Sequence, residues 1–148
     1  WLFGDRGKSM TTANFDALQV GDEIPSLTTE PVSRLTLALY ATGSGDHHPL
    51  HLDQDYVRSK GIPDVFAHGM LGMAYLGRML TQWVPQEAIR SFGVRFTAIT
   101  QVGERLVCTG KVVEKLEQGG EKCVRLELTC ANEQGEAKHK ADAVVALA

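Results

Sequence analysis

From Ile89 to Leu147 the chain alternates, and that alternation limits the folds open to it. In 89–98, Phe92, Val94, Phe96 and Ala98 share one face, opposite Ser91, Gly93, Arg95 and Thr97. In 123–130, Val124, Leu126, Leu128 and Cys130 oppose Cys123, Arg125, Glu127 and Thr129. A period of two is the mark of half-buried strands. Residues 105–116 set Leu106, Cys108 and Val112 against Thr109, Lys111 and Lys115, and a last strand fits about 136–147. Gln118-Gly119-Gly120 and the run from Asn132 to Gly135 are turn signals, so successive strands can join as hairpins. Four long strands in a row make an antiparallel sheet with a face that must be covered.

The cover lies immediately upstream. In 68–84, Met70, Leu71, Met73, Ala74, Leu76, Met79, Leu80, Trp83 and Val84 spread nearly all round a helix, which a wrapping sheet or a partner chain must bury. Gly69, Gly72 and Gly77 each cost such a helix about 1 kcal/mol relative to Ala, which points to something lying close against its backbone. Pro85 stops it. Residues 33–42 satisfy both periods: Leu35, Ala38, Leu39 and Thr42 suit a helix, whereas Leu35, Leu37, Leu39 and Ala41 suit a strand. Ser33 as N-cap and Gly43 as stop favour the helix. Asp53 can cap a second short helix ending near Gly61, and a first strand fits about 22–31. The expectation is a single α+β domain over residues 10–148.

Bulk properties narrow the function. A net charge of −3 with no basic cluster argues against a nucleic-acid partner. No apolar run approaches the roughly 20 residues of a membrane-spanning helix. Cys108, Cys123 and Cys130 are odd in number and lack CxxC spacing, so reduced thiols in a cytoplasmic protein are expected rather than disulfides or a zinc framework. WLFGDRGKS has mixed charge and no long apolar core, unlike a targeting peptide. Residues 1–9 are read as an appended remnant or a disordered arm, with Met10 as a natural start.

Chemistry concentrates in Tyr40–Asp53, YATGSGDHHPLHLD, a run that reads as too broken for regular structure. It holds Asp46, His47, His48 and His51 around Gly43, Gly45 and Pro49. One reading is a solvated loop in which Asp46 caps a turn. A second is a metal site using His47, His48, His51 and Asp53, but two histidines one helical turn apart need a helix, which Pro49 obstructs. No metal is expected on this reading. The third is acid/base chemistry, with Asp46 and His51 holding one water between them. Histidine suits that task because its pKa lies near operating pH.

The same run resembles the hydratase signature of (R)-specific enoyl-CoA hydratases and MaoC-like dehydratases: an aromatic, a short spacer, Ser-Gly-Asp, any residue, Asn, Pro, an aliphatic and His. DVFAHGMLGMAYLG is similar to that family's His-Gly-Met opening of a central helix, and GVRFTAITQVGERL to its Arg-Phe strand and turn. Together the matches cover about residues 20–148. The resemblance implies a hot-dog fold, an antiparallel sheet wrapped round a long apolar helix. It implies hydration of trans-2-enoyl thioesters to (R)-3-hydroxyacyl thioesters, with Asp46 and His51 as the catalytic pair and the backbone N–H of Gly69 polarising the thioester carbonyl. It further implies a homodimer and no cofactor beyond the coenzyme A or acyl carrier protein of the substrate. Two alternatives stay open: a hot-dog acyl thioesterase, and a non-catalytic acyl-binding subunit of a heterodimeric dehydratase.

The sequence departs from the pattern at His48, where Asn is usual, and at Thr100 and Glu104, read as turn variation. Gly77 stands where some relatives carry Ser. His48, His68 and Met70 are candidates for shaping the loop or contacting substrate. His68 is otherwise a helix-start packing residue, and Met70, Met73 and Met79 otherwise belong to the core. Arg95 is expected in a structural ion pair rather than on a coenzyme phosphate. His139, between Lys138 and Lys140, is expected to be solvated.

Overall fold

A computed structural model describes residues 13–148, so the readings made for residues 1–9 and Met10 lie outside the described residues. The elements run β1 (Glu23–Thr28), α1 (Arg34–Ser44), α2 (Pro49–Leu52), α3 (Gln54–Ser59), α4 (Gly69–Trp83), β2 (Ile89–Phe96), β3 (Leu106–Gln118), β4 (Glu121–Asn132) and β5 (Ala137–Ala146). The five strands form one antiparallel sheet in the order β1-β3-β4-β5-β2. The hairpins read from Gly119-Gly120 and Asn132–Gly135 join β3 to β4 and β4 to β5. β2, by contrast, crosses to pair with β5, so β1 and β2 are the edges.

Most of the alternating faces of β3 and β4 point as their periodicity requires, but Cys123, read on the outer face, is buried, and Phe96, read on the inner face of β2, is about half exposed. Cys108, Val112, Val124, Leu126, Leu128, Cys130, Ala143 and Val145 are buried against Leu71, Leu76, Met79 and Leu80 of α4. This α+β arrangement of a sheet curled round a central helix is the hot-dog fold. The helix is not enclosed on all sides, however: Met70, Ala74 and Arg78, one stripe at i, i+4, i+8, are exposed. Among the described residues no helix is long and apolar enough to cross a membrane.

The glycines of α4 separate into different cases. A Cβ on Gly72 would lie 2.0 Å from Cε1 of His139, and one on Gly69 would lie 3.2 Å from Cδ1 of Phe96. At Gly77 the nearest atom, Cε1 of Phe92, stands at an ordinary 3.6 Å, so packing does not demand glycine there. Side chains from the strands are thus what approaches the backbone at Gly69 and Gly72.

α1 forms with Ser33 as its N-cap, the Ser33 hydroxyl accepting from the N–H of Thr36. Two details correct the sequence reading. The helix passes through Gly43 and ends at Gly45, whose φ of +76° suits a residue without a Cβ. Its buried face is Leu37 and Ala41, while Leu35, Ala38, Leu39 and Thr42 face outward. The period was helical, but the apolar stripe did not reveal which side meets the core.

A candidate active site at the start of the central helix

The segment between α1 and α3 is more regular than its composition suggests. Pro49 is the first residue of the one-turn helix α2, the position where a missing N–H costs nothing. Proline therefore starts a helix here instead of preventing one. His48 is its N-cap: Nδ1 accepts from the N–H of Leu50 at 3.2 Å. This is the bond an Asn oxygen makes at such a position, so His48 replaces Asn as a cap without changing the turn. Asp46 Oδ1 accepts from the N–H of His48 at 3.2 Å. Asp53 caps α3 by accepting from Tyr56, as expected. His47 is exposed.

α2 aims His51 back toward the start of α4. Its Nδ1 lies 2.7 Å from the carbonyl oxygen of Phe66. A carbonyl only accepts, so Nδ1 carries the proton and the lone pair of neutral His51 is at Nε2. Burial pushes the His51 pKa below its ordinary 6.5, more than the Phe66 carbonyl raises it, and His68 depresses it further. The ring stacks on His68 with centroids 3.9 Å apart. His68 is buried and donates from Nε2 to the backbone oxygen of Asp46 at 3.0 Å, tying the loop to the helix start. Its Nδ1 is buried without a hydrogen-bond partner.

Asp46, His51 and His68 each bring one polar side-chain atom to within 4.8 Å of the others. Atoms gathered this closely can hold one water between them. The same three side chains have the composition of a metal site. They differ from the set considered on sequence, because His48 and Asp53 are occupied as caps. Two imidazoles on one tetrahedral ion must converge. His51 Nδ1 and His68 Nε2 are already committed to backbone carbonyls, which leaves one free nitrogen on each ring.

α4 begins beside this cluster. No side chain caps it, and the N–H groups of a first turn have no partner within their own helix. Gly69 and Met70 are exposed and line a cleft of about 440 Å³ with Asp46, His68, Phe96 and His139. His51 is not part of the cleft wall; it stands behind His68 in the stack. Met70, Phe96 and Ile99 form an apolar rim, each about half exposed. Met79, by contrast, is core, so the methionine series divides between the two roles.

The opposite wall corrects three expectations. Thr100 and Glu104 are more than turn variants. Thr100 is buried and its carbonyl holds the N–H of Ala67. The Glu104 carboxylate accepts from the N–H of Gln101, from Nδ2 of Asn132 and from Lys138. Burial pushes the Glu104 pKa up, but these donors outweigh it and hold the group below the usual range. Lys138 is buried and also donates to the carbonyl of Ile99 at 2.8 Å. His139 is not solvated: it is 2% exposed, and Nε2 donates to the carbonyl of Gly69 at 2.8 Å. The signal for it was present in β5, where His139 shares a period-two face with Ala141, Ala143 and Val145. Arg95, finally, is exposed beside Lys140 and makes no ion pair among the described residues, contrary to expectation.

A sheet wrapped on one helix defines a hot-dog protein, and here an acid and two imidazoles gather at that helix's bare start. The MaoC like domain family matches residues 17–134, and the chain belongs to that family. A solved MaoC-like dehydratase superposes with a TM-score of 0.81 at 29% identity over 93% of this chain, which spans 43% of that one. The R-hydratase PhaJ1 from Pseudomonas aeruginosa gives 0.78 at 27% identity, covering 90% of this chain and 85% of its own. A mitochondrial 3-hydroxyacyl-[acyl-carrier-protein] dehydratase of Arabidopsis thaliana is 24% identical over 126 residues, 85% of this chain and 75% of that protein. These relatives support hydration or dehydration as the general class of reaction.

Proposed function

We propose that the protein reversibly adds water across the double bond of a trans-2-enoyl thioester, giving the (R)-3-hydroxyacyl thioester. The observation that supports this reading is the gathering of Asp46 and His51 within 4.8 Å beside a helix start that no side chain caps. In the hydration direction, Asp46 and neutral His51 hold a water whose oxygen attacks carbon 3. The proton leaves to Nε2 of His51, whose other nitrogen is fixed on Phe66. Electrons move through the double bond onto the thioester oxygen, where the N–H of Gly69, favoured by the helix dipole, stabilises the charge. The enolate then collapses and carbon 2 takes a proton from the pair. Overall, H and OH add across the bond and no cofactor is consumed. The carrier is coenzyme A or acyl carrier protein, with the acyl chain against Met70, Phe96 and Ile99.

We also propose a homodimer in the cytoplasm. Among the described residues β2 ends the sheet with one edge unpaired, and the apolar rim beside it is half exposed, as suits pairing with a second copy. Hydration of crotonyl-CoA, followed by loss of the conjugated thioester absorbance, tests the activity. Release of free thiol without hydration would replace it with thioester hydrolysis. Absence of activity until a second, different chain is added would favour the subunit reading.

A further inference from the structure

A row of side chains crosses the sheet in register at one level: Leu27, Cys108, Cys130, His139 and Phe96, one from each strand. Leu27 and Phe96 need no more than apolar contact, while the Cys108 and Cys130 thiols lie beside one another and Cys130 meets His139. His139 is different, because it is a polar ring buried among them with one committed bond. Its Nε2 donates to the carbonyl of Gly69, and its ring occupies the space that a side chain on residue 72 would fill. Phe96, which packs over Gly69, meets the same ring edge-on at 5.4 Å.

We propose that His139 is a positioning residue: it clamps the first peptide of α4 to the sheet and so sets the direction of the N–H groups that face the cleft. This rests on the proposed hydration. Gly69 has no Cβ to wedge the turn, and His68 contributes no side-chain cap. The bond from β5 therefore supplies an anchor that the local sequence lacks. The Gly69 carbonyl belongs to the peptide whose N–H is that of Met70, and a donor on a peptide oxygen makes its N–H a stronger donor in turn. The ring can give this bond only because Gly72 leaves room for it. His139 itself touches no reacting atom.

The test compares His139→Gln and His139→Leu in the full chain with crotonyl-CoA. Gln can still donate from its amide, whereas Leu only fills space. His139→Leu is expected to lower kcat roughly 10- to 100-fold, the scale of a small misplacement of a catalytic group, with KM changed less than about threefold. His139→Gln is expected to recover most of that loss, and Gly72→Ala, which displaces the ring, to resemble Leu. Equal losses for Gln and Leu, or full activity in Leu, would overturn the clamp. Nitrogen-15 NMR of the wild-type imidazole gives a second measurement independent of folding of the variants. Near neutral pH, a proton on Nε2 with Nδ1 bare supports the clamp, and the opposite tautomer overturns it. If wild type fails to hydrate any enoyl thioester, the proposed function fails, while the NMR result still judges the clamp.

Discussion

The loop from Asp46 to Asp53 and the Lys138–His139 pair of β5 bring ionisable groups to the same cleft in opposite ways. The loop's caps are short in sequence, Asp46 to His48, His48 to Leu50 and Asp53 to Tyr56, while His51 to Phe66 and His68 to Asp46 span 15 and 22 residues. Its acid stays exposed and its imidazole half-buried. In β5, Lys138 and His139 are buried and reach Ile99 and Gly69, 39 and 70 residues away. Asp46 and His51 thus stay open, fully or in part, to solvent. Groups placed by the sheet are spent on holding the walls. The same residue types thus end open or buried according to the element that carries them.

The sharpest way to break this contrast is to remove the loop's chemistry. Asp46→Asn and His51→Ala are each expected to lower kcat for crotonyl-CoA hydration 10²- to 10⁴-fold, with thermal unfolding close to wild type. The double variant should fall little further, because the pair acts as a unit. A mainly thermal defect would place the loop with the architecture. The strand should respond in the reverse sense. Lys138→Met leaves the Glu104 carboxylate and the Ile99 carbonyl without their shared donor, and is expected to cost about 2–3 kcal/mol in denaturant unfolding. A stability unchanged from wild type would remove Lys138 from the scaffold. His48→Ala should cost about 1 kcal/mol through the lost cap, and His48→Asn should restore it. Failure of Asn to restore stability would mean that the ring does more than cap.

The smallest effect concerns pH. Burial lowers the His51 pKa, so the acid limb of kcat/KM is expected below the ordinary histidine value of 6.5. The linkage has the same sign. The folded protein holds His51 neutral, so its contribution to stability is present above about pH 6.5 and is lost as pH falls toward the depressed folded value. An acid limb above 6.5 would show that His51 is not the group protonated there.

Legibility followed the same division between local and long-range placement. Strand alternation, the Ser33 and Asp53 caps and the spacing of Asp46 from His51 are properties of neighbouring residues, and they emerged from the chain directly. The α1 helix emerged too, but not its buried face, because Leu35–Leu39 and Leu37–Ala41 are equally good stripes until the sheet selects one. Pro49 was misread because its effect depends on whether it falls inside a helix or at the first position. His139 looked solvated because the charges flanking it, Lys138 and Lys140, outweighed the period-two pattern.

By itself the sequence determined an antiparallel sheet over a central helix, and an acid and a histidine on one short turn before that helix. Those features rest on periodicity and on bonds a few residues long. Only the tertiary structure decided that His51 stacks on His68, that His48 is spent as a cap, and that a buried histidine from the last strand holds the helix start. Each of those depends on which residues the closing sheet brings together, and no local pattern encodes a contact across 70 residues.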